Sequence, residues 1–423
     1  MDYKLSFYNI NVYEEGYTDN PNYKDLYYNT MSNKFAEIPE GFNPAEPSEK
    51  LEELKEKRMI VPTSLNEAEN YRTAQIKAIE NEYPTTVSLV IAVTTKCNYQ
   101  CEYCFQNSHK NGVDMQGVVL QDTIAYIKKE IDRNNNLKTF RIRWFGGEPL
   151  MNMQAIREIS NFVIPYCKER NLKYEASIIT NGYLFTKEIS NELNKLSVTK
   201  VQIAIDGFEN DYIAIRKAPK DAYKRVLQNI EDSVIPVTIR LNTTRNNKED
   251  IIELLKELSQ FDSVKNKHNT ITIARVKEYD YAKSLRYGFT DEEWLKFREC
   301  RVDYMDVLPI DSVESTVRLI PCPHNQKRNI ILSADGFLYR CDFHFGYKNY
   351  AIGTIKDGIS VNNIVDKDYL CSTIDTSCLK CRFLPLCCGG ACRYGVLKQG
   401  KSCSLIEGRF KQNMQNYLTY VYN

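Results

Sequence analysis

Three cysteines follow the apolar run Val87–Val93 in the spacing Cys97-x3-Cys101-x2-Cys104. Thiolates placed in this way can ligate three irons of a four-iron cluster and leave the fourth iron open to a small molecule. A cluster capped by four thiolates mainly passes electrons, so a count of three marks a candidate catalytic centre. A zinc site is the competing reading of the spacing. A second motif weighs against it. The apolar segment Thr139–Phe145 runs straight into Gly146-Gly147-Glu148-Pro149. Paired glycines let a backbone approach a ligand closely, and the Glu148 carboxylate offers an acceptor for a ligand ammonium.

The two motifs, in this order and each at a strand end, resemble those of the radical S-adenosylmethionine (SAM) superfamily. In that family the three cysteines hold a [4Fe-4S] cluster and the open iron chelates the amino and carboxylate groups of SAM. Reductive cleavage then yields a 5′-deoxyadenosyl radical that abstracts hydrogen from substrate. By this resemblance Gly146, Gly147, Glu148 and Pro149 receive the methionine amino group, Tyr103 packs near the adenine, and Asn181 lies near the ribose. Arg216, twelve residues beyond Ala204, matches the arginine that pairs with the methionine carboxylate; relatives often carry serine where Ala204 stands. Asn242 is a further candidate.

The elements that must position these residues follow from the hydrophobic pattern. Strand-like runs at Val87–Val93, Thr139–Phe145, Ala176–Thr180, Val201–Ile205, Val237–Asn242 and Thr270–Val276 alternate with helical patterns such as Leu120–Ile131, Ile156–Cys167 and Asp250–Leu258. Parallel neighbours need crossovers, so this order predicts a parallel sheet. Six units are too few for a closed eight-stranded barrel, and they fit the α/β partial (β/α)6 TIM-like barrel of the superfamily.

The 423 residues predict two or three domains. Residues 1–85 carry no cysteine and read as a hairpin at Tyr27–Ile38, a helix with Leu51 and Leu54 on one face, and a short strand at Met59–Pro62. This order resembles the winged-helix-like modules that capture a leader peptide by strand addition; a simple capping module is the alternative. The barrel is expected over 86–285. A helical bridge over 286–318 opens at Asp291-Glu292-Glu293-Trp294, and a cysteine-dense domain occupies 319–423.

In that last region Cys322 and Cys341 flank a hairpin turning at Asp335-Gly336, and Cys378-x2-Cys381-x5-Cys387-Cys388-x3-Cys392 is followed by Cys403. The layout resembles the SPASM extension, which holds two auxiliary four-iron clusters in enzymes that modify peptides and proteins. By the family's interlaced pattern Cys378, Cys381, Cys387 and Cys403 hold the outer cluster, and Cys322, Cys341 and Cys392 the inner one. Cys300, Cys371 or Cys388 are candidates for a fourth inner ligand. Without one, the inner cluster keeps an open iron able to bind a substrate thiolate, as some thioether-forming relatives do. Asp342, beside Cys341, matches a candidate general base of sulfatase-maturing relatives.

Lysine plus arginine (56) nearly balance aspartate plus glutamate (55), which argues against a nucleic-acid partner. No apolar run is long enough for a membrane span, and the start lacks a signal-peptide plan, so a cytoplasmic location is expected. Four scattered histidines weaken any histidine-based zinc enzyme. The expectation is a radical SAM/SPASM maturase that installs a thioether or carbon–carbon crosslink in a ribosomally made precursor peptide bearing a leader. Its cofactors would be SAM and three [4Fe-4S] clusters, with flavodoxin or ferredoxin as reductant. An anaerobic sulfatase-maturating (formylglycine-generating) enzyme is the rival, disfavoured by Phe145 and by Thr316 where a further cysteine is expected. A non-catalytic zinc-binding interaction protein is the alternative of another class.

Overall fold

The computed structural model describes residues 2–101, 103–106, 112–276, 288–299, 318–372, 374–390 and 392–420. Cys300, Thr316 and residues 277–285 of the expected barrel lie outside these residues.

Strand β1 (Tyr3–Leu5) pairs antiparallel with β5 (Ile60–Pro62), and β2 (Asn9–Asn11), β3 (Leu26–Asn29) and β4 (Lys34–Glu37) form a three-stranded antiparallel sheet. The hairpin between β3 and β4 turns at Asn33, whose φ of 56° suits asparagine's tolerance of the left-handed region. Helix Glu49–Glu56 starts at Ser48, whose side chain accepts from the Leu51 N–H, and it buries Leu51 and Leu54. The N-terminal segment packs on the cysteine-rich tail. Ile10, Leu26 and Tyr28 share a core with Phe410, Met414 and Leu418 of helix Cys403–Tyr420. Tyr8 and Tyr71 share another with Cys378 and Leu384.

The barrel strands are β6 (Thr86–Thr94), β7 (Thr139–Gly146), β8 (Lys173–Thr180), β9 (Val198–Ile205), β10 (Val237–Thr243) and β11 (Thr270–Arg275), paired parallel in sequence order. Their outward residues are apolar because crossover helices cover that face: Phe140, Ile142 and Trp144 of β7 join the large core with Val87, Leu89 and Ile91 of β6. The inward residues of β7, Arg141, Arg143 and Phe145, take the opposite pleat. Every strand foreseen in the sequence is present.

One pairing was not foreseen. The hairpin of β12 (Ile331–Ser333) and β13 (Phe337–Tyr339) does not stand apart, because β12 runs parallel to β6 with Ile331 opposite Val90 and Ser333 opposite Ala92. With β14 (Gly353–Thr354) and β15 (Gly358–Ile359) the result is one ten-stranded sheet. Barrel and tail therefore share a hydrogen-bond ladder and an inner apolar cluster of Val90, Ala92, Phe145, Ile331, Tyr339 and Phe345.

The helix expected at Asp291 spans Asp291–Arg298, with a capping box between Thr290 and Glu293. It packs on the C-terminal helix, where Gln412 Nε2 donates to the Leu295 carbonyl at 2.6 Å. Among the described residues no helix is long and apolar enough to cross a membrane.

Candidate active site in the barrel lumen

The loop after β6 carries Cys97, Cys101 and Cys104, and it is held by backbone interlock with the end of β7. Gly147 N–H donates to the Thr94 carbonyl at 2.9 Å and Glu148 N–H to the Lys96 carbonyl at 2.8 Å. A Cβ on Gly146 (φ +139°) would lie 2.2 Å from the Thr94 oxygen, and one on Gly147 2.1 Å from the Lys96 oxygen. Only glycine fits either place. The tight approach that the two glycines permit is to the cysteine loop itself.

Glu148 turns into the protein interior. Its carboxylate is fully buried and accepts from Thr180 Oγ1 at 2.7 Å, Asn181 N–H at 2.7 Å and Leu150 N–H at 3.1 Å. Burial pushes its pKa up to about 7, against the lowering effect of those donors. The side chain braces the ends of β7 and β8. Gly146 and Gly147 line the lumen, whereas Glu148 and Pro149 are not among its lining residues.

Arg216 is held by protein partners. It is 3% exposed, at the end of helix Glu209–Arg216, and its Nε donates to Asp206 Oδ2. Tyr103 OH also donates to Asp206 Oδ2, at 2.7 Å, while accepting from Arg216 Nη2 at 2.9 Å and Asn242 Nδ2 at 3.2 Å. Burial opposes the Arg216 charge, but Asp206, Tyr103 and the Cys101 thiol hold the guanidinium protonated, above its ordinary value. Arg216 thus lines the lumen while it is held by Asp206 and Tyr103. Its carbonyl also accepts from Gln100 N–H at 3.0 Å, tying the cysteine loop to this network. Asp206 Oδ1 is buried with no hydrogen-bond partner.

The lumen is a cavity of ≈ 430 Å³. All three motif cysteines, Tyr103, Asn181, Ala204, Arg216 and Asn242 line it, together with Asp342 from the tail. Asn181 Nδ2 donates to Asn98 Oδ1 at 2.7 Å and lies 4.0 Å from Cys97 Sγ. Arg143 Nη2 donates to both Asp342 oxygens, at 3.2 and 3.0 Å, and His324 Nε2 lies 3.8 Å from Asp342 Oδ1. Asp206, Arg143 and His324 were missed as site residues. The signal for Arg143 was present: a charged residue at an inward position of a parallel strand, close to the Gly146-Gly147 motif at its end.

The tail cysteines fall into two groups. Cys381 feels the charge of Cys378 and Cys403, and Cys387 that of Cys381 and Cys378. Lys401 Nζ lies 3.3 Å from Cys378 Sγ. Cys322 and Cys341 each feel Asp342 and Cys392. Burial pushes the Cys322 thiol up to about 11 and Cys341 higher, so neither forms a thiolate without a compensating cation. Cys388 belongs to neither group: it adopts φ 56° and turns its Sγ to the Arg318 carbonyl at 3.0 Å, beside Tyr71. Cys371 is exposed at the end of helix Ile364–Leu370.

These residues fit the groups that the resemblance implies. Thiols gather in sets of three, three and four; Asp206, beside the lumen, keeps an unpartnered buried carboxylate oxygen; and the Tyr369 side chain lies against Cys341 of the Cys322–Cys341–Cys392 set. Among the described residues no three His, Cys, Asp or Glu side chains close round a single ion.

Residues 91–258 match the family described as the Radical SAM superfamily. The chain is 34% identical over 198 residues to the radical SAM cyclopropyl synthase TigE of Paramaledivibacter caminithermalis, covering 43% of this chain and 41% of that protein. It is 30% identical over 210 residues to the GTP 3′,8-cyclase of Helicobacter pylori, covering 48% of this chain and 60% of the cyclase. The chain thus spans about half the length of the curated relatives it matches. The fold is similar to that of anSMEcpe with bound AdoMet and Cp18Cys peptide (TM-score 0.58, 19% identity, 79% of this chain and 97% of that one). It is also similar to Streptococcus suis SuiB bound to precursor peptide SuiA (TM-score 0.54, 15% identity, 89% and 94%). Residues 91–258, which carry most of the barrel and the three motif cysteines, are thus the part of the chain that matches the radical SAM superfamily.

Proposed function

We propose that this protein is a peptide maturase that installs a thioether or carbon–carbon crosslink in a ribosomally made precursor. The observation that carries the reading is that one cavity is lined by Cys97, Cys101 and Cys104 on one side and by Asp342, next to Cys341, on the other. Chemistry at the barrel cysteines and chemistry at the tail thus meet in one space. When bound, the cluster and SAM supply hydrogen-atom abstraction from an unactivated carbon.

Cys97, Cys101 and Cys104 would hold the SAM-binding cluster, with the Gly146–Gly147 backbone, Asn181 and the Tyr103–Asp206–Arg216 network shaping the SAM pocket. Cys378, Cys381, Cys387 and Cys403 would hold the outer auxiliary cluster, and Cys322, Cys341 and Cys392 the inner one. Arg143 fixes the orientation of Asp342, which would take the substrate proton. A flavodoxin or ferredoxin would serve as reductant. The peptides bound in the two similar structures support a peptide substrate.

A nucleotide substrate is the second reading, favoured by the cyclase match. That match spans 48% of this chain, whereas the similarity to the peptide-bound structures extends over 79–89% of it.

The test is anaerobic reconstitution followed by iron, sulfide and 5′-deoxyadenosine assays, then incubation with candidate precursor peptides and mass spectrometry. About 12 irons per chain, SAM cleavage and loss of two hydrogens per crosslink are expected. SAM cleavage with consumption of GTP and an unchanged peptide would favour the nucleotide reading. Zinc without SAM cleavage would overturn both.

A further inference from the structure

Among the described residues, the cavity is lined by four guanidinium groups, Arg143, Arg216, Arg240 and Arg275, and by a single carboxylate, Asp342. Arg216 is engaged with Asp206. The other three come from separate strands: Arg143 from β7, Arg240 from β10 and Arg275 from the end of β11. Each is oriented by a neighbour. Arg143 binds Asp342, Arg240 Nε donates to Asn242 Oδ1 at 2.9 Å, and Arg275 Nη1 donates to Asp291 Oδ1 at 2.6 Å.

Two of these groups retain a donor with nothing to donate to. Arg143 Nε and Arg275 Nε are buried and have no hydrogen-bond partner. Burying cationic donors is costly, and an anionic side chain placed against this wall would offset its excess of positive charge. Phe105, Phe145, Ile179 and Phe343 line the same space and keep the local dielectric low, which strengthens any charge pair formed there.

We propose that the wall formed by Arg143, Arg240 and Arg275 binds a carboxylate side chain, aspartate or glutamate, of the substrate next to the residue that is modified. The inference rests on the peptide reading above and names a feature of the peptide. A carboxylate suits the wall better than a phosphate for two reasons. Asp342 shares the cavity and repels a multiply charged anion more strongly than a singly charged one. A cavity of ≈ 430 Å³ that must also admit SAM leaves room for a side chain rather than a nucleoside triphosphate.

The test is binding, measured by fluorescence anisotropy on the reconstituted enzyme with SAM present. The probes are fluorescein-labelled Gly-Cys-Glu-Gly and Gly-Cys-Gln-Gly, with GTP as competitor. The glutamate peptide is expected to bind roughly tenfold tighter, a preference that falls toward unity in Arg240→Gln and is partly kept in Arg240→Lys. The lysine variant serves as the folding control. Equal binding of the two peptides would overturn the carboxylate site and leave the peptide reading standing. Binding of neither peptide, with GTP bound in an arginine-dependent way, would overturn the peptide reading and this site with it. A loss of SAM affinity in Arg240→Gln as large as the loss of peptide affinity would assign the guanidinium to SAM and overturn the proposal.

Discussion

Arg143 and Asp342 meet across the lumen, 3.0 Å apart, although they come from the second barrel strand and the turn after β13. The side chains are 34% and 29% exposed, so the pair adds little to stability, at most about 1 kcal/mol. What it does is aim a carboxylate into the space faced by the three motif cysteines. Asp342→Asn is expected to lower peptide modification by roughly 10²–10⁴-fold while leaving the melting temperature close to wild type. Quantitative mass spectrometry and a thermal melt on the same preparation check both halves.

Glu148 links stability to pH. Its folded pKa, about 7, lies above the ordinary glutamate value, so the native state binds the proton more tightly than the unfolded state does. The stability this lends is fully present below pH ~4.3 and is lost as pH rises toward 7. The wild type should therefore lose ground against Glu148→Gln across that window, by on the order of 1–3 kcal/mol. Urea titrations of both proteins at several pH values test this, and a constant difference would show that the carboxyl titrates normally.

Gly147→Ala places a methyl group 2.1 Å from the Lys96 oxygen, with backbone on both sides. Neither partner is the flexible end of a side chain, so the cysteine loop must shift. A cost of about 3 kcal/mol or more is expected, with loss of about four irons after reconstitution. Iron analysis against the wild type provides the check.

The cysteine doublet should behave asymmetrically. Cys387→Ala removes a member of the four-thiol group and is expected to abolish one auxiliary cluster, about four irons. Cys388→Ala removes a thiol packed against Tyr71 and the Arg318 carbonyl, so iron content should hold while stability falls by about 1–2 kcal/mol. Equal iron loss in both variants would contradict the grouping.

The six barrel strands were legible because short runs with apolar, often β-branched residues at alternate positions recur between helical patterns. The cysteine grouping was carried by the resemblance, with one ambiguity at Cys387 and Cys388 that only the left-handed backbone of Cys388 resolves. The inward turn of Glu148 was not legible, because a linear motif does not show which way a side chain turns as the chain leaves Gly146 with φ at +139°. Arg216 was assigned without its partner, since Asp206 precedes a helix and only folding brings it back onto the arginine. The parallel pairing of β12 with β6 joins segments whose separation no periodicity encodes.

That pairing has a consequence for electron transfer. Because β6 leads into the Cys97 loop and β13 leads into Cys341, the spacing between the barrel thiols and the inner tail thiols is set by ladder register rather than by domain docking. A tunnelling path between them would keep a constant length through every turnover. A one-residue slip of β12 would not lengthen that path gradually; it would turn Ile331 and Leu332 to opposite faces and break the inner wall outright.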